Sequence, residues 1–275
     1  MRRRTPTMAA LMGVVVAACG GQPDLPNEEI GAAVQRGVGN RNFGIHCTSY
    51  YDGGWRYAQP SAWDICDGLW TTLDNEATAE FYYDLVGKKY YWEYGGDGAD
   101  NSLEDVDLFF GFTDAAATTV NAKWAMFNDG EWAVSSNMGL GNERRGTSIF
   151  ATYSSSTMKI DSYTWNRWDS VFNGGLRIAL GSHGLLYSGS AEEDVAKVFA
   201  QYLNAGYSFT NAWAAGFDLT IYNNQDVAVL ATGTGSSNCS SRRDNLSWDN
   251  FSYSSFPRLS GSSIGTWCGW IWDNI

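Results

Sequence analysis

Four runs of apolar and β-branched residues stand out along an otherwise polar, glycine-rich chain: Val106 to Phe112, Ser148 to Tyr153, Leu176 to Leu180 and Asp226 to Ala231. None alternates cleanly between apolar and polar positions, and each ends in small or polar residues, the pattern of strands covered on both faces. "WAMFND", Trp124 to Asp129, reads as a fifth. The clearest helical period lies between the third and fourth runs. Ser190 is its N-cap, and Glu192, Glu193 and Asp194 fill the first turn, where the helix dipole favours acids. Val195, Val198, Phe199 and Tyr202 make its apolar face, and Asn204 to Gly206 ends it. The pattern predicts further helices at Phe209 to Gly216 and Asn166 to Phe172, and an apolar-faced turn or two at Glu80 to Val86.

A strand, a helical connection and a second strand form the β-α-β unit, which sets its strands parallel. The expected fold is therefore an α/β three-layer sandwich with a mostly parallel central sheet. No fixed-period repeat points to a propeller or solenoid. "GGDGADNSLEDVD" and "ATGTGSSNCSSRRDN" read as loops by composition. Sites in such sheets are built on loops leaving the carboxyl ends of strands. Here those are "GFTDAAATT", "SSSTMK", "GSHGLLYSGS" and "GTGSSNCSSRRD".

The first residues read as an address. Three arginines, an apolar run from Met8 to Ala18 and then Cys19 have the plan of a signal peptide, and the run is too short to span a bilayer. Val16, Ala17, Ala18 and Cys19 resemble the bacterial lipobox, which implies cleavage before Cys19 and lipid on that cysteine. Residues 1–18 are thus expected to be a lipoprotein signal peptide, 19–42 a lipidated tether, and 43–275 a single domain. The expected location is the bacterial cell envelope, as an outer-membrane lipoprotein, because Gly20 is not the aspartate of inner-membrane retention. Cys47, Cys66, Cys239 and Cys268 remain, an even number in an exported chain, which suggests disulfides. Nearness in sequence favours 47 with 66 and 239 with 268, although three pairings are open.

A formal charge of −12 argues against a nucleic-acid partner, which needs a clustered positive surface, and opposes adhesion to anionic lipid by charge, so the membrane is expected to be reached only through the N-terminal lipid. Thirteen tryptophans and fifteen tyrosines recur in polar settings such as "SYYDGGWRY", "KKYYWEY" and "WCGWIWDN". They suit either packing on a sheet or stacking on a peptide or glycan ligand.

Of the two histidines, His183 follows a strand and precedes a glycine, a placement suited to general acid/base work. Cys239, expected in a loop on the same sheet edge, is its candidate nucleophile, with backbone N–H groups around Gly184 as oxyanion donors. The competing reading is that Cys239 is oxidised in a disulfide and His183 only caps its strand. The order strand, His-Gly, helix, strand, small-residue turn, Cys resembles the layout of the caspase- and gingipain-like cysteine peptidases over roughly residues 104 to 245. That resemblance implies a His183–Cys239 dyad cleaving peptide or amide bonds. A second register uses "DLFFGFTDA" and "IFATYSSST" as the two dyad strands; its histidine position is not His, and its nucleophile position falls on Tyr153, Ser154 or Ser155. A domain in that register is a degenerate relative without the dyad. "GGLRIALGSHG", "FAQYLNAGYSFTNAW" and "VAVLATGTGSSNCSSRRDNLSW" also resemble an uncharacterised family of secreted bacterial domains of this remote peptidase-like fold, which implies export and fold but no chemistry.

Weaker motifs complete the picture. Ser182 in "LGSHG" lacks the first glycine of a nucleophile elbow, and the partner histidine would have to be His46. "GTGSSN" imitates a phosphate-binding glycine loop but has Asn238 at the third glycine and no helix predicted after it. Asp97, Asp100 and Asp105, with Asn101, Glu104 and Asp107, offer oxygen ligands to calcium without EF-hand spacing; no other cofactor is expected. Arg144–Arg145 and Arg242–Arg243 either grip a carboxylate or sulfate or pair with nearby acids. Two functions follow: a cysteine-dependent peptide or amide hydrolase, or an inactive glycan- or peptide-binding module.

Overall fold

The computed structural model describes residues 42–47, 61–74, 79–82, 106–125, 132–140, 147–186, 194–220, 225–250 and 256–272. The chain divides into two units, residues 1–33 and 34–275, and every described residue belongs to the second.

The apolar runs become the middle of a seven-stranded sheet. Its strands are β1 (Asn42–Cys47), β2 (Ala79–Tyr82), β3 (Leu108–Phe112), β7 (Ile149–Tyr153), β8 (Ile178–Ser182), β9 (Val227–Gly233) and β10 (Thr266–Trp272), in the order β10-β9-β8-β7-β3-β1-β2. Every residue of β3, β7, β8 and β9 is buried, as expected for strands covered on both sides. On one face Ile149, Leu180 and Val229 meet α1 (Ser61–Asp74), α3 (Asp194–Asn204), α4 (Phe209–Thr220) and α5 (Ser236–Asn245). On the other, Phe109, Phe150 and Ala179 meet α2 (Thr164–Asn173) and a small antiparallel sheet of β4 (Ala115–Ala117), β5 (Ala122–Ala125) and β6 (Trp132–Val134). The α/β sandwich is therefore real, with aromatic packing at its centre. Phe150 stacks on Phe109 at 5.7 Å and receives the edges of Trp124 and the tilted ring of Trp168.

The strand from 227 does not run as expected. β1, β2, β3, β7 and β8 are mutually parallel, but β9 pairs antiparallel with β8, Ser182 opposite Val227 and Ile178 opposite Ala231. The cause is the connection: α3 and α4, of 11 and 12 residues, rise about 16 and 18 Å in opposite senses. The pair cancels, and the chain re-enters the sheet at the edge it left. Between them Gly206 takes φ 86° and closes a Schellman turn, with Gly206 N–H on Leu203 O and Tyr207 N–H on Tyr202 O. The buried stripe of α3 is Val195, Ala196, Phe199, Ala200 and Leu203, rotated slightly from the one expected. Residues 187–193, which include its expected N-cap, lie outside the described residues.

Three other elements correct the sequence reading. Ala79–Tyr82 is an edge strand parallel to β1 where a helical turn was expected; four residues are too short for apolar periodicity to decide. Trp124 belongs to the small sheet, on β5, and not to the central one. "SSNCSSRRDN", expected as loop, is α5. Its polar sequence is held by tertiary contacts: Cys239 is bonded to Cys268 of β10, and Gly233 admits the helix so closely that a Cβ there would stand 2.4 Å from Cys239 N.

Candidate functional site at the carboxyl edge of the sheet

The parallel strands β3, β7 and β8 end side by side, and the segments leaving them interlock. The loop after β7 folds down onto β8. Met158 N–H bonds to Ser182 O at 2.9 Å and Ser156 N–H to Gly184 O at 2.7 Å. Gly181 permits this descent, because a Cβ there would come within 2.4 Å of Met158 Cγ. Ser156 takes a left-handed φ of 54° to complete it. Ser155 Oγ then clasps the loop after β8, accepting from Leu186 N–H at 3.0 Å and donating to Leu186 O at 3.2 Å.

His183 is built into this clasp. Its backbone N–H donates to Asp226 O at 2.8 Å, and its Nδ1 accepts from Ile160 N–H at 2.9 Å. An imidazole used in this way satisfies a loop amide. Ser182 is wholly buried and its hydroxyl donates to Gly184 O, which also receives Ser156 N–H. His46 lies on β1 opposite Gly111, three strands from β8.

The expected His183–Cys239 dyad is not assembled. Because β9 is antiparallel, Cys239 follows the amino-edge end of the sheet while His183 follows the carboxyl edge. The intervening length of β9, Val227 to Ala231, amounts to about 13 Å at 3.3 Å per residue. Cys239 is also wholly buried and disulfide-bonded to Cys268, Cα atoms 6.0 Å apart; Cys47 and Cys66 form the other bond at 6.4 Å. Both pairings are those that nearness in sequence favours. Gly184 is therefore apart from Cys239, and its carbonyl accepts from Ser156 N–H and Ser182 Oγ.

The ends of β3 and β7 hold hydroxyls where the second register would place a dyad. Thr113 Oγ1 donates to Ala125 O at 2.6 Å, and Asp114 turns back to accept Ala115 N–H at 2.8 Å. Tyr153 is stacked in the core between Phe112 and Phe217. Trp124 Nε1 donates to Thr152 Oγ1, which donates to Ser154 Oγ, at 3.1 and 2.7 Å. This run of hydrogen bonds satisfies buried polar groups, and among the described residues no histidine or thiol is hydrogen-bonded to its hydroxyls.

Arg167, which sequence reasoning missed, ties the loops together. Almost wholly buried on α2, it donates to Thr118 O of the β4–β5 turn at 3.0 Å and to Lys159 O, and it pairs with Asp161 at 2.7 Å. Burial pulls the Asp161 carboxyl upward, but the hydrogen bonds from Arg167 and Tyr163 N–H and the charges of Arg167 and Lys159 outweigh it and hold it below the ordinary carboxylate range.

Four large apolar side chains among the described residues are exposed: Val120, Trp132, Tyr163 and Leu185. All four lie on segments that leave the carboxyl ends of β3, β7 and β8. The tryptophans of β10 are by contrast half-buried, Trp267 stacked on Trp165 and Trp270 against Trp272.

Arg243 pairs with Asp244, while Arg242 is wholly buried. Cys19, Asp97, Asp100, Asp105, Asn101, Glu104 and Arg144–Arg145 lie outside the described residues. Among the described residues no three His, Cys, Asp or Glu side chains gather as metal ligands, and no helix is long and apolar enough to cross a membrane. No protein-family model matches the chain, and no curated protein matches it.

Proposed function

We propose that this chain is an exported, lipid-anchored α/β domain that binds an extended peptide at the carboxyl edge of its sheet and carries no cysteine-peptidase activity. The observation that carries the reading is that, among the described residues, the exposed large apolar side chains Val120, Trp132, Tyr163 and Leu185 all fall in the connections that follow β3, β7 and β8. In a mainly parallel sheet this is the edge where ligands are held. Isolated exposed aliphatics are common, but Val120 and Tyr163 sit beside the turns that Arg167 ties together and Leu185 beside the Ser155 clasp, which preorganises them. The aliphatic pair Leu185 and Val120 suits the side chains of a peptide; a glycan, which needs aromatic faces and many hydrogen bonds, is the alternative ligand.

The inactive reading follows from the disulfide. A nucleophilic cysteine must be a thiolate beside its base, whereas Cys239 is bonded to Cys268 and stands across the sheet from His183. In the peptidase-like layout the dyad comes from neighbouring parallel strands. β3 and β7 are such neighbours, and they end in Thr113, Asp114, Ser154 and Ser155. The second register of the resemblance is therefore the one we adopt, a relative in layout that lacks the dyad. Two disulfides fit the oxidising compartment that the lipobox implies.

The test is a peptide array and a glycan array probed with folded protein, followed by titration of hits against Leu185→Asp and Tyr163→Ala. Peptide hits weakened tenfold or more by either change support the reading. Hits confined to glycans, or peptide affinity indifferent to both changes, overturn it. Turnover of a peptide library by the unreduced protein overturns its inactive half.

A further inference from the structure

Among the described residues Arg242 is a buried cation without an anion. Its side chain is wholly out of solvent, and its single hydrogen bond runs from Nη2 to Pro257 O at 2.7 Å. Nε and Nη1 meet no acceptor. Its neighbour shows how the chain treats an ordinary surface arginine: Arg243 is partly solvated, pairs with Asp244 and donates to Gly269 O. Burial draws the Arg242 guanidinium down to about 10, which leaves it fully charged at neutral pH. A charged group enclosed without a counter-charge costs several kcal/mol, and arginine cannot escape by releasing its proton as lysine does.

Arg242 lies three residues after Cys239 on the same face of α5, and Cys239 rests against Gly233 at the amino edge of the sheet. Pro257, whose carbonyl Arg242 holds, is followed by Arg258, which donates to Ser148 Oγ at 3.1 Å. Ser148 O in turn receives the backbone N–H of Arg177, another wholly buried arginine at the start of β8. Thr147 Oγ1, beside Ser148, is also buried without a hydrogen bond. The nearby Asp244 is engaged with Arg243.

We propose that Arg242 is the floor of an anion site between α5 and the segment Phe256–Leu259, and that it takes one small oxyanion, a carboxylate or sulfate, on the N–H donors of Nε and Nη1. Pro257, whose carbonyl the guanidinium holds, is itself exposed. The site is on the edge opposite the peptide face and stands or falls independently of it.

Calorimetry and thermal melts in sulfate, acetate and chloride at equal ionic strength test the assignment, with sulfate and acetate separating an inorganic ligand from a carboxylate. Expected is saturable binding of at least one of the two, one per chain, with a rise in Tm that saturates at about 5 °C or more. Arg242→Met should lose at least tenfold in affinity and be no less stable in chloride, while Arg243→Met keeps the binding. A sulfate effect that never saturates and is equal in Arg242→Met is the general salting-out response, and it overturns the site. Should Arg242→Met not fold, Arg242→Gln replaces it; retained affinity in Arg242→Gln, or no heat of binding to the wild type at tens of millimolar of either anion, likewise overturns the site.

Discussion

Asp161→Asn isolates the brace of the candidate binding face. The Arg167 side chain is 1% exposed and that of Asp161 28%. The substitution keeps the shape and removes the charge, so the guanidinium stays buried with only Thr118 O and Lys159 O as strong acceptors. Breaking a buried pair from one side costs about 3–5 kcal/mol, and the partial solvation of Asp161 puts this case at the low end, about 3 kcal/mol. For a domain of this size that is a fall in Tm of about 6–12 °C. Arg167→Met removes the charge together with its bonds and should cost about 2 kcal/mol. The double variant should cost little more than Arg167→Met alone, giving a coupling of about 2–3 kcal/mol by urea unfolding. The pair also sets an acid limb. A carboxylate held below its unfolded value, about 3.9, stabilises the fold fully above that value, and the contribution disappears as pH falls through the lowered folded value. Asp161→Asn should therefore flatten that limb below about pH 4. A cost below about 0.5 kcal/mol, the range of a surface pair, or strictly additive single variants, would refute the brace.

Other expectations are simpler. His183→Ala should cost about 1 kcal/mol by leaving Ile160 N–H without its acceptor, and it should leave any peptide turnover at the wild-type background. Phe150→Ala opens a cavity among Phe109, Trp124 and Trp168 and should cost about 3–5 kcal/mol in chemical denaturation. Replacing both Cys239 and Cys268 with alanine releases a loop of sequence separation 29 and should cost about 3–4 kcal/mol. That loss should appear as lowered stability with peptide binding retained in the protein that still folds.

What the chain revealed in advance was its buried geometry. Runs such as "IFATY" and "VAVLATG" are apolar throughout because both their faces are covered, so β7 and β9 are legible from composition alone. The direction of β9 was not, because it depends on two helices of nearly equal length cancelling each other's rise, a tertiary quantity. That one reversal moved Cys239 to the far edge of the sheet. α5 escaped notice for a related reason: its stability comes from Cys268 and the close approach at Gly233, not from an apolar stripe. At the site, His183 was rightly located at a strand end, but its partner is a backbone N–H from a loop 23 residues earlier, which no side-chain motif encodes. Arg167 and Arg242 look like surface residues in the sequence, since arginine is seldom fully buried, and nothing local marks them as enclosed.

The central claim is that Cys239 is a structural half-cystine and that the domain does not use it as a nucleophile. Iodoacetamide treatment of the unreduced, folded protein followed by peptide mapping by mass spectrometry tests this most directly. The account predicts linked peptides joining Cys47 to Cys66 and Cys239 to Cys268, with none of the four cysteines alkylated. A Cys239 that is alkylated without reduction, the more so if His183→Ala slows the reaction, contradicts it.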